Sequence, residues 1–173
     1  MTQLLNIEKC VRNLRDVNLF RGLDDKRLAA VAEHCEFVEI SADEYLIREG
    51  AKAEHLYVLL TGEIAVSKQL SLPHLSSLQH TDRILSRLTG EGHPVLGETA
   101  LLGEPVRRST VRCTADSALY RIDAEGLRRL TEQDAEIGHR VFAHLSEMLL
   151  ERLQAANNDV VKLSAALVFA LEE

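Results

Sequence analysis

The chain has no tryptophan, and its seven aromatic residues come to only 4% of its 173 residues. A core built without large rings must draw its apolar area from Leu, Val, Ile and Ala, which is feasible because 46% of the residues are hydrophobic. Positive charge is also scarce: the formal net charge is -7 and the pI is near 5.5. That balance is the reverse of the basic footprint needed to neutralise a phosphate backbone, so direct nucleic-acid binding is not expected. Apolar runs of membrane-spanning length are missing, and Met1-Thr2-Gln3-Leu4-Leu5-Asn6 lacks the basic and apolar regions of a secretory signal. A cytoplasmic location with no membrane partner is expected. The three cysteines, Cys10, Cys35 and Cys113, are odd in number, far apart and in apolar surroundings, and so read as reduced core residues.

What is present changes period twice. From Leu4 to Cys35 apolar residues recur at helical spacing (Leu4, Ile7, Val11 and Leu14, then Leu28, Val31 and Ala32), which predicts two helices. The second starts at Asp24, a capping residue followed by the acidic Asp25. Phe20 and Leu23 read as an apolar anchor just before it. From Phe37 to Ile122 the chain breaks into short alternating or apolar runs punctuated by Gly50, Gly62, Gly90 and Gly92, as expected of an antiparallel jelly-roll barrel. Lys68 to Thr81 has no period and is too long for a hairpin loop. It is either a decorated surface loop or, given Leu70, Leu72, Leu75 and Leu78, a lid or a partner-binding patch.

Helical period returns after Asp123. A short helix, Ala124 to Leu130, precedes a long one carrying Ile137, Val141, Phe142, Leu145, Met148, Leu149 and Leu153. That stripe is too wide for one contact: one side suits the barrel, the other a second copy of the chain. Ala156-Asn157-Asn158-Asp159 is expected to weaken the helix before a last amphipathic series, Val160, Leu163, Leu167 and Leu171. The predicted class is therefore α+β, an antiparallel jelly-roll barrel with N-terminal helices and a C-terminal short helix plus long helix. Its expected divisions are a helical extension over 1–16, the barrel domain with its long helix over 17–155, and an amphipathic tail over 156–173.

The segment Gly97-Glu98-Thr99-Ala100-Leu101-Leu102, followed by Arg107-Arg108-Ser109-Thr110-Val111, concentrates the chemistry. It sets a carboxylate and a guanidinium a short loop apart with backbone amides between them, as a ribose cyclic phosphate would require. Strand alternation puts Arg107, Ser109, Val111 and Cys113 on one face and Arg108, Thr110 and Arg112 on the other. Gly97 allows close backbone approach, and the turn Glu98-Thr99-Ala100 can aim amides at an anion. The alternative use of the same pair is a mutual Glu98–Arg107 ion pair that closes the loop.

In this order, Leu19-Phe20-Arg21-Gly22-Leu23, Leu46-Ile47-Arg48-Glu49-Gly50, Leu56 to Ile64 and the Gly97 to Val111 cassette resemble the cyclic nucleotide-binding domain family, whose members include the catabolite activator protein, kinase regulatory subunits and cyclic nucleotide-gated channels. The resemblance runs from about Val17 to Leu153. It implies that Glu98 accepts a hydrogen bond from the ribose 2'-hydroxyl and that Arg107 takes the exocyclic phosphate oxygens with its planar fork. The ligand-binding set is then Gly97, Glu98, Thr99, Ala100, Arg107, Arg108 and Ser109, with cAMP or cGMP as ligand and no catalytic or metal-binding residue. The base would be read from the long helix, where His139, His144, Ser146 and Glu147 are the polar candidates.

Four positions depart from the family pattern. Arg108 replaces a small residue, as an extra phosphate donor or a solvated charge. Four residues, His93-Pro94-Val95-Leu96, separate Gly92 from Gly97 where three are usual, so the entering strand must bulge or turn early. Asp43 stands at a turn position usually held by Gly, and Lys68 to Thr81 is an insertion. Other classes fit less well. A metal cupin needs clustered histidines, and the seven here are scattered; a haem sensor would have to use His93. Only about twenty residues follow Leu153, too few for a helix-turn-helix module. The expected protein is thus a stand-alone sensor, not an enzyme, that forms a homodimer through the long helix and signals to a protein effector. The other reading is a degenerate adaptor or dimerisation module without nucleotide.

Overall fold

A computed structural model of the chain describes residues 2–70 and 81–171. Helix α1 (Thr2–Leu14) leads through a single 3-10 turn (Asn18–Phe20) to α2 (Asp25–Ala32). The Asp24 carboxylate caps α2 by accepting from the Arg27 amide at 2.9 Å, at the position its residue type predicts. Eight strands follow: β1 (Cys35–Ile40), β2 (Tyr45–Ile47), β3 (His55–Thr61), β4 (Glu63–Leu70), β5 (Thr81–Thr89), β6 (Val95–Leu96), β7 (Thr110–Cys113) and β8 (Ser117–Asp123). They form two antiparallel four-stranded sheets, ordered β1-β8-β3-β6 and β2-β7-β4-β5. The α+β jelly-roll expectation is borne out.

Two apolar clusters divide the interior. Ile47, Tyr57, Leu59, Ile64, Leu96, Val111, Cys113 and Leu119 fill the space between the sheets. The second cluster joins the helices to the outer face of the β1-β8-β3-β6 sheet and includes Leu14, Phe20, Leu28, Leu56, Ile122, Leu127, Ile137, Val141 and Leu145. Phe20 is fully buried there, the anchor its place in the sequence suggests.

Two carboxylates set the C-terminal helices. Asp123 accepts from the Gly126 amide at 2.9 Å and starts α3 (Ala124–Gln133). Asp134 then starts α4 (Ala135–Leu171), its Oδ1 accepting from the amides of Glu136 and Ile137 at 2.9 and 3.2 Å. At 37 residues, α4 is about 55 Å long. It passes through Ala156-Asn157-Asn158-Asp159 unbroken: Asn and Asp cost only about 0.7 kcal/mol each relative to Ala inside a helix, and no glycine or proline interrupts them.

Three departures from pattern are absorbed locally. Asp43 takes the left-handed conformation of the glycine it replaces, with φ +70°. The extra residue before the cassette is taken up at His93, also left-handed with φ +48°, so the chain turns early and Val95–Leu96 still pairs with β3. The expected loop from Lys68 to Thr81 is partly strand: β4 continues to Leu70, which pairs with Thr81 at the start of β5. The remainder of that insertion, Leu72, Leu75 and Leu78 included, lies outside the described residues. No helix among the described residues is long and apolar enough to cross a membrane.

Candidate functional site

The cassette connects β6 to β7. Gly97 enters it with φ +68°, and a Cβ built there would stand 2.5 Å from Arg107 Nη1. Glycine is required twice, by the backbone conformation and by the guanidinium packed over it. A second 3-10 turn, Glu98–Ala100, follows; its Ala100 amide is spent on the Gly97 carbonyl at 3.1 Å. The donors at the N-terminal end of the turn are those of Glu98 and Thr99, which precede that bond. Ala100 and Leu101 are buried in the same cluster as Leu127, Ile137, Val141 and Leu145, so the turn shares a packed core with α3 and α4.

The returning limb is clamped to the segment before β3. The Arg107 amide donates to the Ala51 carbonyl at 2.8 Å, and the Arg107 carbonyl accepts from Gly50 at 3.0 Å. This fixes the face each side chain takes. Arg107, Val111 and Cys113 point inward and are buried, while Arg108 and Arg112 are exposed, as strand alternation predicts. Ser109 and Thr99 are half-buried at the rim. Arg108 is bonded to Glu104 at 2.9 Å with 71% of its side chain exposed.

Glu98 and Arg107 are each 5% exposed, an unusual depth for two ionisable groups. They are not paired with each other. Arg107 Nη2 donates to the His55 carbonyl at 2.5 Å and Nη1 to the Gly97 carbonyl at 3.3 Å. Burial lowers the Arg107 pKa from its ordinary value, while the Tyr57 hydroxyl and the Glu98 carboxylate act in the opposite direction. The guanidinium is thus anchored by neutral oxygens, with its positive charge not cancelled by a bonded carboxylate.

Glu98 finds its ion pair elsewhere. Arg152 of α4 reaches back into the cassette and donates from Nη1 to Glu98 Oε1 and from Nη2 to the Val95 carbonyl at 2.9 Å. No sequence reasoning pointed to Arg152. Its signal was positional: it falls seven and eleven residues after Leu145 and Val141, on the face α4 turns to the barrel, yet in a run of charged residues that reads as solvated. Three of the four polar candidates for reading a base lie on the exposed side of α4. His139, Ser146 and Glu147 are exposed, with Ser146 donating to the Phe142 carbonyl at 2.7 Å and Glu147 3.5 Å from Arg21. His144 is 6% exposed, on the core side of α4 beside Leu145. Among the described residues no group of three or more His, Cys, Asp or Glu is arranged to hold a metal ion.

A helix-flanked jelly roll whose β6–β7 connection buries a guanidinium and a carboxylate has the form of a ligand-binding regulatory barrel. Residues 37–134 match the model of the cyclic nucleotide-binding domain, and the chain belongs to that family. It is 25% identical over 162 residues to the cAMP-dependent protein kinase type II regulatory subunit of Drosophila melanogaster, covering 92% of this chain and 39% of that protein. It is 28% identical over 151 residues to the Pycsar effector protein BcPycTIR of Burkholderia cepacia, covering 86% of this chain and 45% of that one. The chain therefore spans less than half the length of these curated relatives. In fold it is similar to a cyclic nucleotide-binding domain from Methylobacillus flagellatus (TM-score 0.72, 15% identity, covering 90% of this chain and 82% of that one). It is likewise similar to the Thermus thermophilus catabolite activator protein (TM-score 0.67, 21% identity, covering 85% and 63%).

Proposed function

We propose that this protein is a cyclic nucleotide sensor without catalytic activity of its own, and that it binds cAMP or cGMP in the Gly97–Ser109 cassette. The observation that carries this reading is the burial of Arg107 with its charge unpaired by any bonded carboxylate. A buried guanidinium held by carbonyl oxygens beside the Tyr57 ring, with no bonded carboxylate, favours an incoming anion, and a cyclic phosphate offers two oxygens to its fork. Gly97 supplies the close backbone approach, the Glu98 and Thr99 amides supply donors and Ala100 packs the turn into the core, while Ser109 lies on the same limb as Arg107. Glu98 is placed for the ribose. A carboxylate has more acceptor sites than Arg152 occupies at Oε1, so a 2'-hydroxyl can join it without first evicting the arginine.

The output route follows from the same contacts. A ligand that draws the 3-10 turn inward acts on α4 through two connections, the Glu98–Arg152 ion pair and the core shared by Leu101 and Leu145. It would shift an existing equilibrium by its differential affinity for the two seatings of α4. The kinase regulatory subunit and the effector protein among the relatives carry names consistent with such a relay, with the effector of this chain a protein partner. The far half of α4 supports a homodimer. Leu149, Leu153, Ala156, Val160, Leu163 and Leu167 follow one another at alternating four- and three-residue steps, the heptad spacing of a two-stranded coiled coil, and Leu153, Val160, Leu163 and Leu167 are all more than half exposed.

Calorimetric titration with cAMP and cGMP tests the reading. Saturable binding is expected, weakened about a hundredfold or more in Arg107→Ala, since each charge-assisted hydrogen bond lost is worth about 1.5–3 kcal/mol. Flat traces with both nucleotides on the folded protein would overturn it in favour of an adaptor.

A further inference from the structure

A cleft of about 680 Å³ opens between α1, the end of α2 and the start of β1, and none of its lining residues belongs to the cassette. That size lies within the range of about 300–1,000 Å³ typical of small-molecule sites. Cys10, Ala32 and Tyr120 form its buried lining and belong to the apolar cluster that also holds Leu145 of α4, so the cleft is built on the core and not on a surface loop. Phe37 stands beside them. It is 48% exposed although the chain has only four phenylalanines. Its ring meets Tyr120 edge to face, with centroids 6.0 Å apart at 70°, and the remaining ring surface is open to the cleft.

The charges around this apolar lining are of both signs. Glu36 is bonded to Arg121. Lys9 and Glu33 line the same cleft, yet among the described residues neither has an ion-pair partner, and they are not bonded to each other. The Lys9 ammonium rests instead 5.7 Å from the centre of the Phe37 ring. One open cationic group and one open anionic group therefore flank a single apolar surface. A neutral ligand would engage neither, and a singly charged one would engage only one of the two. A zwitterion with an apolar body engages both and covers the ring. Contacts between exposed charges are weak, so the apolar body supplies most of the affinity and the two charges supply selectivity.

We propose that this cleft is a second ligand site, which takes a small zwitterion with an apolar side chain, namely a hydrophobic amino acid or dipeptide. The ligand's ammonium donates to the Glu33 carboxylate, and its carboxylate accepts from the Lys9 ammonium. Its side chain lies against Phe37 and over the buried surface of Cys10, Ala32 and Tyr120. Binding here does not depend on nucleotide in the cassette, because the two sites have no residue in common.

The test uses the full isotope-labelled chain without nucleotide and follows backbone amide shifts by NMR. L-phenylalanine and leucyl-phenylalanine are titrated beside phenethylamine, which lacks the carboxylate, and phenylpropionate, which lacks the ammonium. Both zwitterions should give saturable shifts at Cys10, Glu33 and Phe37, and each singly charged compound should bind about fivefold more weakly, the most that one exposed ion contact contributes. Tighter binding of phenylalanine would assign the free amino acid, and tighter binding of the dipeptide would assign a short peptide. Glu33→Gln should weaken the zwitterions and phenethylamine but not phenylpropionate, while Lys9→Gln should weaken the zwitterions and phenylpropionate but not phenethylamine. Absence of saturation at millimolar concentrations, equal affinity for the zwitterions and the singly charged compounds, or shifts confined to the cassette would overturn the proposal on the wild-type protein alone.

Discussion

At Gly97, Arg107 and Arg152, single atoms decide how the cassette is held together. Gly97→Ala places a methyl carbon 2.5 Å from the Arg107 guanidinium in a backbone conformation that disfavours side chains, so the expected cost is about 1–3 kcal/mol. Thermal melting should show a lower midpoint for this variant and calorimetry a loss of nucleotide affinity, whereas Gly92→Ala, with open space at its Cβ position, should leave affinity unchanged. Arg152→Ala separates binding from coupling. Because Arg107 retains its anchors on His55 and Gly97, nucleotide affinity should stay within a few-fold of wild type. Ligand-induced change in hydrogen exchange along α4 should shrink or vanish; an unaltered exchange response would show that the ion pair carries no signal. Glu98 and Arg107 were both legible from the sequence because they lie within one loop. Arg152 was not, because its partner is remote in the chain and only the direction of a long helix brings them together.

At the scale of the elements, Asp134 governs the junction between α3 and α4. Burial works against its ionisation, but the amides of Ile137 and Glu136 and the Arg27 side chain outweigh it and hold its pKa below the ordinary carboxyl value. Arg27 Nε lies 2.9 Å from Asp134 and Nη1 2.5 Å from Asp24, so one guanidinium joins the caps of α2 and α4. A carboxylate depressed in this way stabilises the fold fully above the unfolded-state value of about 4 and loses that contribution as pH falls through the lower folded value. Thermal melts of wild type and Asp134→Asn should differ at pH 6 and approach each other as pH falls below the ordinary carboxyl value; a constant difference over that range would exclude the ionic part of the cap. The Asp24 cap was readable from residue type alone, since an N-cap is a local bond. The length of α4 was not: Asn157 and Asn158 are weak helix formers, but their summed penalty is too small to stop a helix already propagating on either side.

In the molecule as a whole, the far half of α4 leaves a long apolar stripe exposed. From Glu151 to Leu171 every residue of α4 is exposed, and a single helix showing that much Leu and Val in a heptad stripe is stable in water only when another surface covers it. Leu163→Glu combined with Leu167→Glu should convert a dimer to a monomer in sedimentation velocity, with the barrel's nucleotide affinity retained if each barrel binds on its own. Wild type sedimenting as a monomer at tens of micromolar would remove the homodimer from the proposal.

The sequence by itself determined what depends on neighbours along the chain: the switches from helical to strand period, the Asp24 cap, the left-handed Asp43, and the inward face shared by Arg107 and Val111. Each rests on bonds or steric rules spanning a few residues, and these are written in residue order. Tertiary structure decided what depends on groups far apart in that order. It seated Arg152 on Glu98, anchored Arg107 on the carbonyl of His55 and buried His144 on α4. Such meetings are set by how the helices pack on the sheets, where apolar area is traded without regard to sequence distance, so no local pattern encodes which polar groups will be carried together.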